Sequence, residues 1–432
     1  MVVDKVKKFL LETELDPSCV CMDTLCDKFT KEMEKGLAGE KSSLDMIPTY
    51  ISDKSDIKSG ESVIVLDAGG TNFRTCIVTF DEELKPIITD FKKVPMPGIK
   101  AEVSKKEFYS YLANEVERLI DKSDKIGVCF SYAAKITKDH DGIPLIFSKE
   151  IKAPEVVGTL VVKSLLDELA LRGYDVKNKK YSLINDTVAT LLATKAACSD
   201  ASGGYIGFIL GTGTNTAYIE DNSKILKEEG LAEGCQLINV ESGGLKIDLP
   251  EIVQEFINTT KDVESYHFEK MISGAYLGLL GQFVLERACK EDIFTPGFVT
   301  RFTSGEKLTT TTMSHYLEMP HNKDYFLVNC VAGNSSDATA LWLIIRAVIE
   351  RAAKLTAVNL AATVLKTDMG KDPRYPVVIN ADGTTYYKTE FLNQYTQYYL
   401  HEFLELKHNR YVRLVRIDDS PVLGAAIAGL SV

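Results

Sequence analysis

Residues 62–80 read SVIVLDAGGTNFRTCIVTF, two apolar runs on either side of a turn made of Gly69, Gly70, Thr71 and Asn72. Short apolar runs rich in β-branched residues and punctuated by glycine predict two buried strands joined as a hairpin. Residues 204–220, GYIGFILGTGTNTAYIE, repeat the design, with Gly213-Thr214-Asn215 standing 143 positions after Gly70-Thr71-Asn72. Outward from the first hairpin, the pattern predicts a helix over 105–122, a strand over 126–132, a mostly helical 154–173, a strand at 181–184 and an alanine-rich helix over 188–198. After the second come helices over 249–258 and 266–288, a threonine-rich loop at 303–314, a long buried helix over 335–365, and a strand and turn at 377–385. Two helical segments occupy residues 1–48. Strands and helices alternating in two similar halves predict an α/β protein of two lobes, with a duplicated core and a ligand cleft between a small and a large domain.

The chain has 432 residues, enough for two or three domains and a large core. Its 45% hydrophobic and 26% charged residues exclude a disordered chain. A net charge of −11 has the wrong sign for a protein that must neutralise many phosphates, so no nucleic-acid partner is expected. No apolar run approaches the roughly 18 residues of a membrane span, so no membrane partner is expected. Nine cysteines scattered along the chain point to free thiols and a cytoplasmic location.

Several residues carry possible chemistry. Asp67 ends an apolar run where Gly69 and Gly70 allow close backbone approach, Thr71 offers a hydroxyl, and Arg74 a permanent charge; phosphate suits such a turn. Gly211, Thr212, Gly213 and Thr214 offer the same chemistry from the other half. Each turn alone also satisfies what a tight hairpin demands of glycine, and it is the repetition that favours a ligand. Neither turn has the GK[ST] of a Walker loop nor the third glycine of a dinucleotide fingerprint. Asp186 follows a strand and precedes a helix, where it serves either as a general base or, with Asn185, as a helix cap. Asn239-Val240-Glu241 and Glu269-Lys270 border apolar segments, with side chains suited to sugar hydroxyls.

Taken in order, LDAGGTNFR, FSY, FSKEIKA, LINDTVATLLA, LGTGTNTAYIE, NVESGG, EKMISGAYLG and ADGTTYY resemble the phosphate, sugar and adenosine segments of the eukaryotic-type hexokinases. EMEKGLAGEKSSLDMIPTY extends the resemblance toward the start of the chain. It implies the actin-like ATPase (ribonuclease H-like) fold, ATP and Mg²⁺ between the lobes, and transfer of the γ-phosphoryl group to the 6-hydroxyl of a hexose, glucose first among them. By the same resemblance, Asp186 is the catalytic base and Lys149 a second catalytic group. Ser131, Ser148, Lys149, Asn185, Asp186, Asn215, Glu241 and Glu269 contact the sugar. Asp67, Gly69, Gly70, Thr71, Asn72 and Arg74 form the first phosphate segment, Gly211, Thr212, Gly213 and Thr214 the second. Asp382, Gly383, Ser420 and Gly424 lie on the adenosine side, and Asp67 reaches the metal through water.

The family's FSF-Pro reads Phe130-Ser131-Tyr132-Ala133 here, its Trp-Thr-Lys-Gly reads Phe147-Ser148-Lys149-Glu150, and Ser242 stands where it has tryptophan after Asn-x-Glu. The expected division is 1–58 as a helical part of the large domain, 59–187 as the small domain with 419–432 packed on it, and 188–418 as the rest of the large domain. A monomer or homodimer is expected. The rivals are a non-catalytic actin-like ATPase, which has no use for the sugar residues, and a sugar sensor without turnover, which has no use for Asp186 and Lys149.

Overall fold

A computed structural model of the chain describes residues 2–53, 57–147, 151–198 and 202–432. The chain opens with helices Val2–Glu12 and Met22–Ala38 and then strand β1 (Ile47–Ser52). The first half continues with β2 (Ser62–Ala68), β3 (Asn72–Phe80), β4 (Pro86–Pro95), β5 (Lys125–Phe130), the short ribbon β6 (Ala134–Ile136) and β7 (Gly142–Pro144), and β8 (Lys180–Ile184). The second half contains β9 (Gly204–Leu210), β10 (Thr214–Asp221), β11 (Cys235–Asn239), β12 (Val377–Asp382) and β13 (Val412–Val415).

The duplication read from the glycine turns holds at the level of whole sheets. One sheet has the order β4-β3-β2-β5-β8 and the other β11-β10-β9-β12-β13, with β1 added at the β11 edge. In both, three antiparallel strands are followed by two parallel ones. A helix follows the last strand of each sheet, Asp186–Ala197 after β8 and Ser420–Leu430 after β13. These two helices lie between the sheets: Val188, Leu191 and Leu192 from one and Val422, Ala425 and Ile427 from the other share a core with Val63 and Cys129 of the small lobe and Ala217 and Leu237 of the large lobe.

Close approach dictates glycine here. A Cβ on Gly127 of β5 would lie 1.8 Å from the Ala425 carbonyl oxygen, and one on Gly424 would lie 2.0 Å from that of Ala189. Gly127→Ala is therefore expected to cost about 2 kcal/mol or more through overpacking, read as a lowered melting temperature. An unchanged melting temperature would show that the helix lifts off the strand without cost.

Two sequence expectations need correction. Residues 303–314 are not one loop, because a helix begins at Thr310, with Thr309 and Thr312 forming a reciprocal cap at its start. The helix expected over 266–288 is two, His267–Ile272 and Leu277–Lys290. The break frees the Gly274 amide to donate to Gly211 O at 2.9 Å and that of Ala275 to Thr212 O at 3.2 Å, so it supports the second glycine turn. No helix among the described residues is long and apolar enough to cross a membrane.

Candidate active site

The hairpin register sets Asp67 opposite Arg74, and the parallel neighbour β5 sets Cys129 beside it. Arg74 Nη1 donates to Asp67 Oδ2 at 2.6 Å, with Asp67 2% exposed and the arginine side chain 37% exposed. Burial pushes the Asp67 carboxyl up, against the pull of the Arg74 charge; Asp186 adds to the upward push. The turn itself is closed by Gly69 N donating to Asn72 O and tied to the following segment by Met96 N donating to Thr71 O, both at 3.0 Å.

The cap alternative at 185–186 resolves residue by residue. Asn185 is the N-cap, its Oδ1 accepting from Thr187 N at 2.8 Å, and Asp186 is the first helical residue. Among the described residues the Asp186 carboxylate accepts a long contact, 3.4 Å, from the Thr187 hydroxyl, and it is partly exposed at the positive end of the helix. Capping is thus done by the asparagine, and the aspartate is available for other work.

From the large lobe, Asn215 Nδ2 donates to Asn239 Oδ1 at 2.6 Å and to Glu241 Oε1 at 3.2 Å, and reaches across the cleft to Asn185 Oδ1 at 3.4 Å. Asn239 Nδ2 donates to the same Glu241 oxygen at 2.8 Å. Glu241 has left-handed backbone, φ 56°. Its carboxyl is pushed up to about 7 by burial, while the Asn239 bond favours the charged form and the charges of Asp45, Asp186 and Glu269 oppose it. Glu269 Oε2 accepts from Thr214 N at 2.9 Å. That bond explains Gly213, where a Cβ would sit 2.5 Å from the same oxygen. Ser131 lies just past β5, its amide donating to Ala68 O at 3.1 Å.

The second glycine turn meets the β12 end, where Thr385 Oγ1 donates to Gly211 O at 2.8 Å and a Cβ on Gly383 would be 2.2 Å from Leu210 O. Asp382 Oδ1 accepts from Gly383 N at 2.6 Å. Ser420 is fully buried, its hydroxyl accepting from Asn380 Nδ2 at 3.0 Å and donating to Ile417 O at 2.6 Å, and Gly424 is packed against Ala189. Ser148 and Lys149 lie outside the described residues.

Two residues join this site without a role assigned from sequence, Asp45 and Asn359, while Asn239, already read as suited to sugar hydroxyls, reaches it from a strand, β11, that was not anticipated. Asp45 adds a third negative charge near Glu241, beside Asp186 and Glu269. Asn359, fully buried in the helix Ser335–Thr367, accepts from Thr216 Oγ1 at 3.0 Å and donates to Ser242 Oγ at 3.3 Å, under the Glu241 turn. A lone asparagine in the apolar AVNLAATV was its only signal.

A buried carboxylate paired with arginine at a glycine turn, an aspartate at a helix start and a hydrogen-bonded network of amide and carboxylate groups have the chemistry to bind a polyhydroxyl compound beside a phosphate chain. Comparison with known proteins gives this chemistry a lineage. The chain is 32% identical over 410 residues to human "Hexokinase HKDC1", covering 89% of this chain and 44% of that protein. It is 28% identical over 456 residues to a Schistosoma mansoni "Hexokinase", covering 99% of this chain and 96% of that one. The chain thus spans about half the length of the human relatives it matches. In fold it resembles the Schistosoma mansoni hexokinase solved with glucose, with TM-score 0.80 and 23% identity over all of both chains. A hexokinase from Thermus thermophilus of the ROK type gives TM-score 0.53 at 16% identity, over 85% of this chain and 97% of that one. The two-lobed actin-like ATPase architecture expected from sequence is therefore the one the chain adopts. Two family models, each described as hexokinase, match residues 5–196 and 205–431, one on either half of the duplication, and the chain belongs to the hexokinase family.

Proposed function

We propose that the protein is an ATP-dependent hexokinase, transferring the γ-phosphoryl group of ATP to the 6-hydroxyl of a hexose, with glucose the first candidate. The observation that supports this is the approach of Asn215 to Asn185 at 3.4 Å, next to Asp186 in the chain, together with the paired Asp67 and Arg74. A nucleotide-driven lobe switch without a second substrate needs no such fan of amides and carboxylates.

Phosphoryl transfer demands positioning and charge stabilisation more than covalent chemistry. In this assignment, Asp186 takes the proton of the sugar hydroxyl as it attacks. Ser131, Ser148, Asn185, Asn215, Glu241 and Glu269 bind the remaining hydroxyls. Turns 69–72 and 211–214 present backbone amides to the phosphates, Arg74 and Lys149 meet the developing charge, and Asp382 with Gly383 flank the adenosine. Mg²⁺ bound with ATP would supply charge neutralisation at the phosphates. Asp67, a buried carboxylate beside the first glycine turn with one oxygen on Arg74, would hold this ion through its remaining oxygen by way of water. Such a site suits a cation that keeps its water and takes its other ligands from phosphate. The domain division at 58/59 and 187/188, and a cytoplasmic location consistent with nine unpaired cysteines, belong to the same proposal.

A coupled assay of ADP formation with Mg²⁺-ATP across a panel of hexoses tests it. Hexose-dependent turnover is expected; folded protein giving no ADP above background with any hexose would end the proposal.

A further inference from the structure

Tyr132 stands one residue past Ser131, 2% exposed, in a cluster of three rings. Its ring centroid lies 5.1 Å from that of Phe130 and 5.0 Å from that of Phe147, which it meets nearly edge-on at 77°. Phe147 immediately precedes Ser148 and Lys149 in the chain. The hydroxyl points the other way, toward the β2–β3 turn, with Gly69 O at 2.9 Å and Gly70 O at 3.3 Å. Burial and the nearby charges of Asp186 and Asp67 push the phenol up, so it stays protonated and donates its single proton to this pair of carbonyls. One side chain thus ties together the Ser131 segment, the segment leading into Ser148 and Lys149, and the first glycine turn.

We propose that Tyr132 is a positioning residue, its hydroxyl fixing the Gly69–Gly70 turn against the sugar-side segment so that triphosphate and sugar are held in one frame. The proposal rests on the hexokinase assignment above. It is particular to this chain, since the family pattern FSF has phenylalanine at this position, where no hydroxyl can bridge to the turn.

Tyr132→Phe tests it cleanly, because the ring and its packing are kept and the variant carries the residue the family itself uses. Loss of a hydrogen bond that orders a substrate-binding turn is expected to raise the KM for ATP by about three- to tenfold. The KM for hexose is expected to stay within about twofold and the melting temperature to hold, because a neutral hydroxyl contributes little beyond its own bond. A merely structural role would instead lower the melting temperature and leave the ATP KM where it was. Equal ATP KM in an active parent and an active variant overturns the tether alone. A parent with no hexose-dependent ADP formation overturns the hexokinase assignment, and the tether with it.

Discussion

Asp186→Asn is expected to lower kcat by at least about 100-fold, the contribution typical of a positioned general base. The substitution keeps the shape of the side chain and, at the first helical position, disturbs no cap, because Asn185 performs that task through its bond to Thr187 N. Melting temperature and ATP affinity should therefore be nearly unchanged, while hexose affinity weakens moderately through loss of a charged hydrogen bond. The measurement is steady-state kinetics alongside thermal unfolding. A variant within about fivefold of the parent kcat would remove Asp186 from the base role, since general bases contribute far more than this.

Glu241 should make hexose binding depend on pH and should weigh on stability at the same time. Its carboxyl titrates at about 7 in the folded chain, above the ordinary 4.5. Between those values the folded chain holds a proton that the unfolded chain releases, so stability falls as pH rises through the window and levels off above about 7. A shift of this size corresponds to at most about 3 kcal/mol. Glu241→Gln is accordingly expected to be more stable than the parent at pH 8, with the difference closing toward pH 4.5. Sugar hydroxyls donate best to the charged form, so the parent's KM for hexose should fall from pH 6 to pH 8, whereas the glutamine variant should show a flat profile and, at pH 8, a KM raised by about 10- to 100-fold. Asp45, Asp186, Glu269 and Tyr266 lie near enough to interact with Glu241 and all remain in the variant, which makes the parent-minus-variant difference the quantity to plot. A parent profile flat across this range would exclude Glu241 as the titrating sugar contact.

Much of the architecture was legible in the chain because local and global signals agree there. The two glycine turns mark both hairpins, and the repeat of Gly-Thr-Asn gives the duplication before any sheet is seen. The strands buried on both faces, such as β2 and β9, read as unbroken apolar runs. What escaped notice lacks such a signal. β4 is exposed along nearly its whole length and its PIITDFKKVP has no clean alternation of apolar and polar residues, and β1 carries left-handed Tyr50 and a register shift. The helix break at 273–276 follows from hydrogen bonds to a turn some sixty residues earlier, which no local pattern encodes. In the site, the hydrogen-bonding residues of the large lobe were found through ordered motifs. Asn359 was not assigned, because its value lies in partners that only the folded chain supplies. At Ser420 and Gly424 the motif match falls on positions that the fold also uses for packing.

The layer of two helices between the sheets determines which groups can move. Asp186 begins one of those helices and so belongs to the axle of the molecule, whereas Asp67 and Glu241 sit at the rims of opposite sheets. A rotation of one lobe against the other about that axle would carry the phosphate turn and the sugar-binding fan through arcs, while the group assigned to accept the proton travels least. The acceptor then acts as a fixed datum, and alignment of the two substrates is achieved by bringing each of them to it.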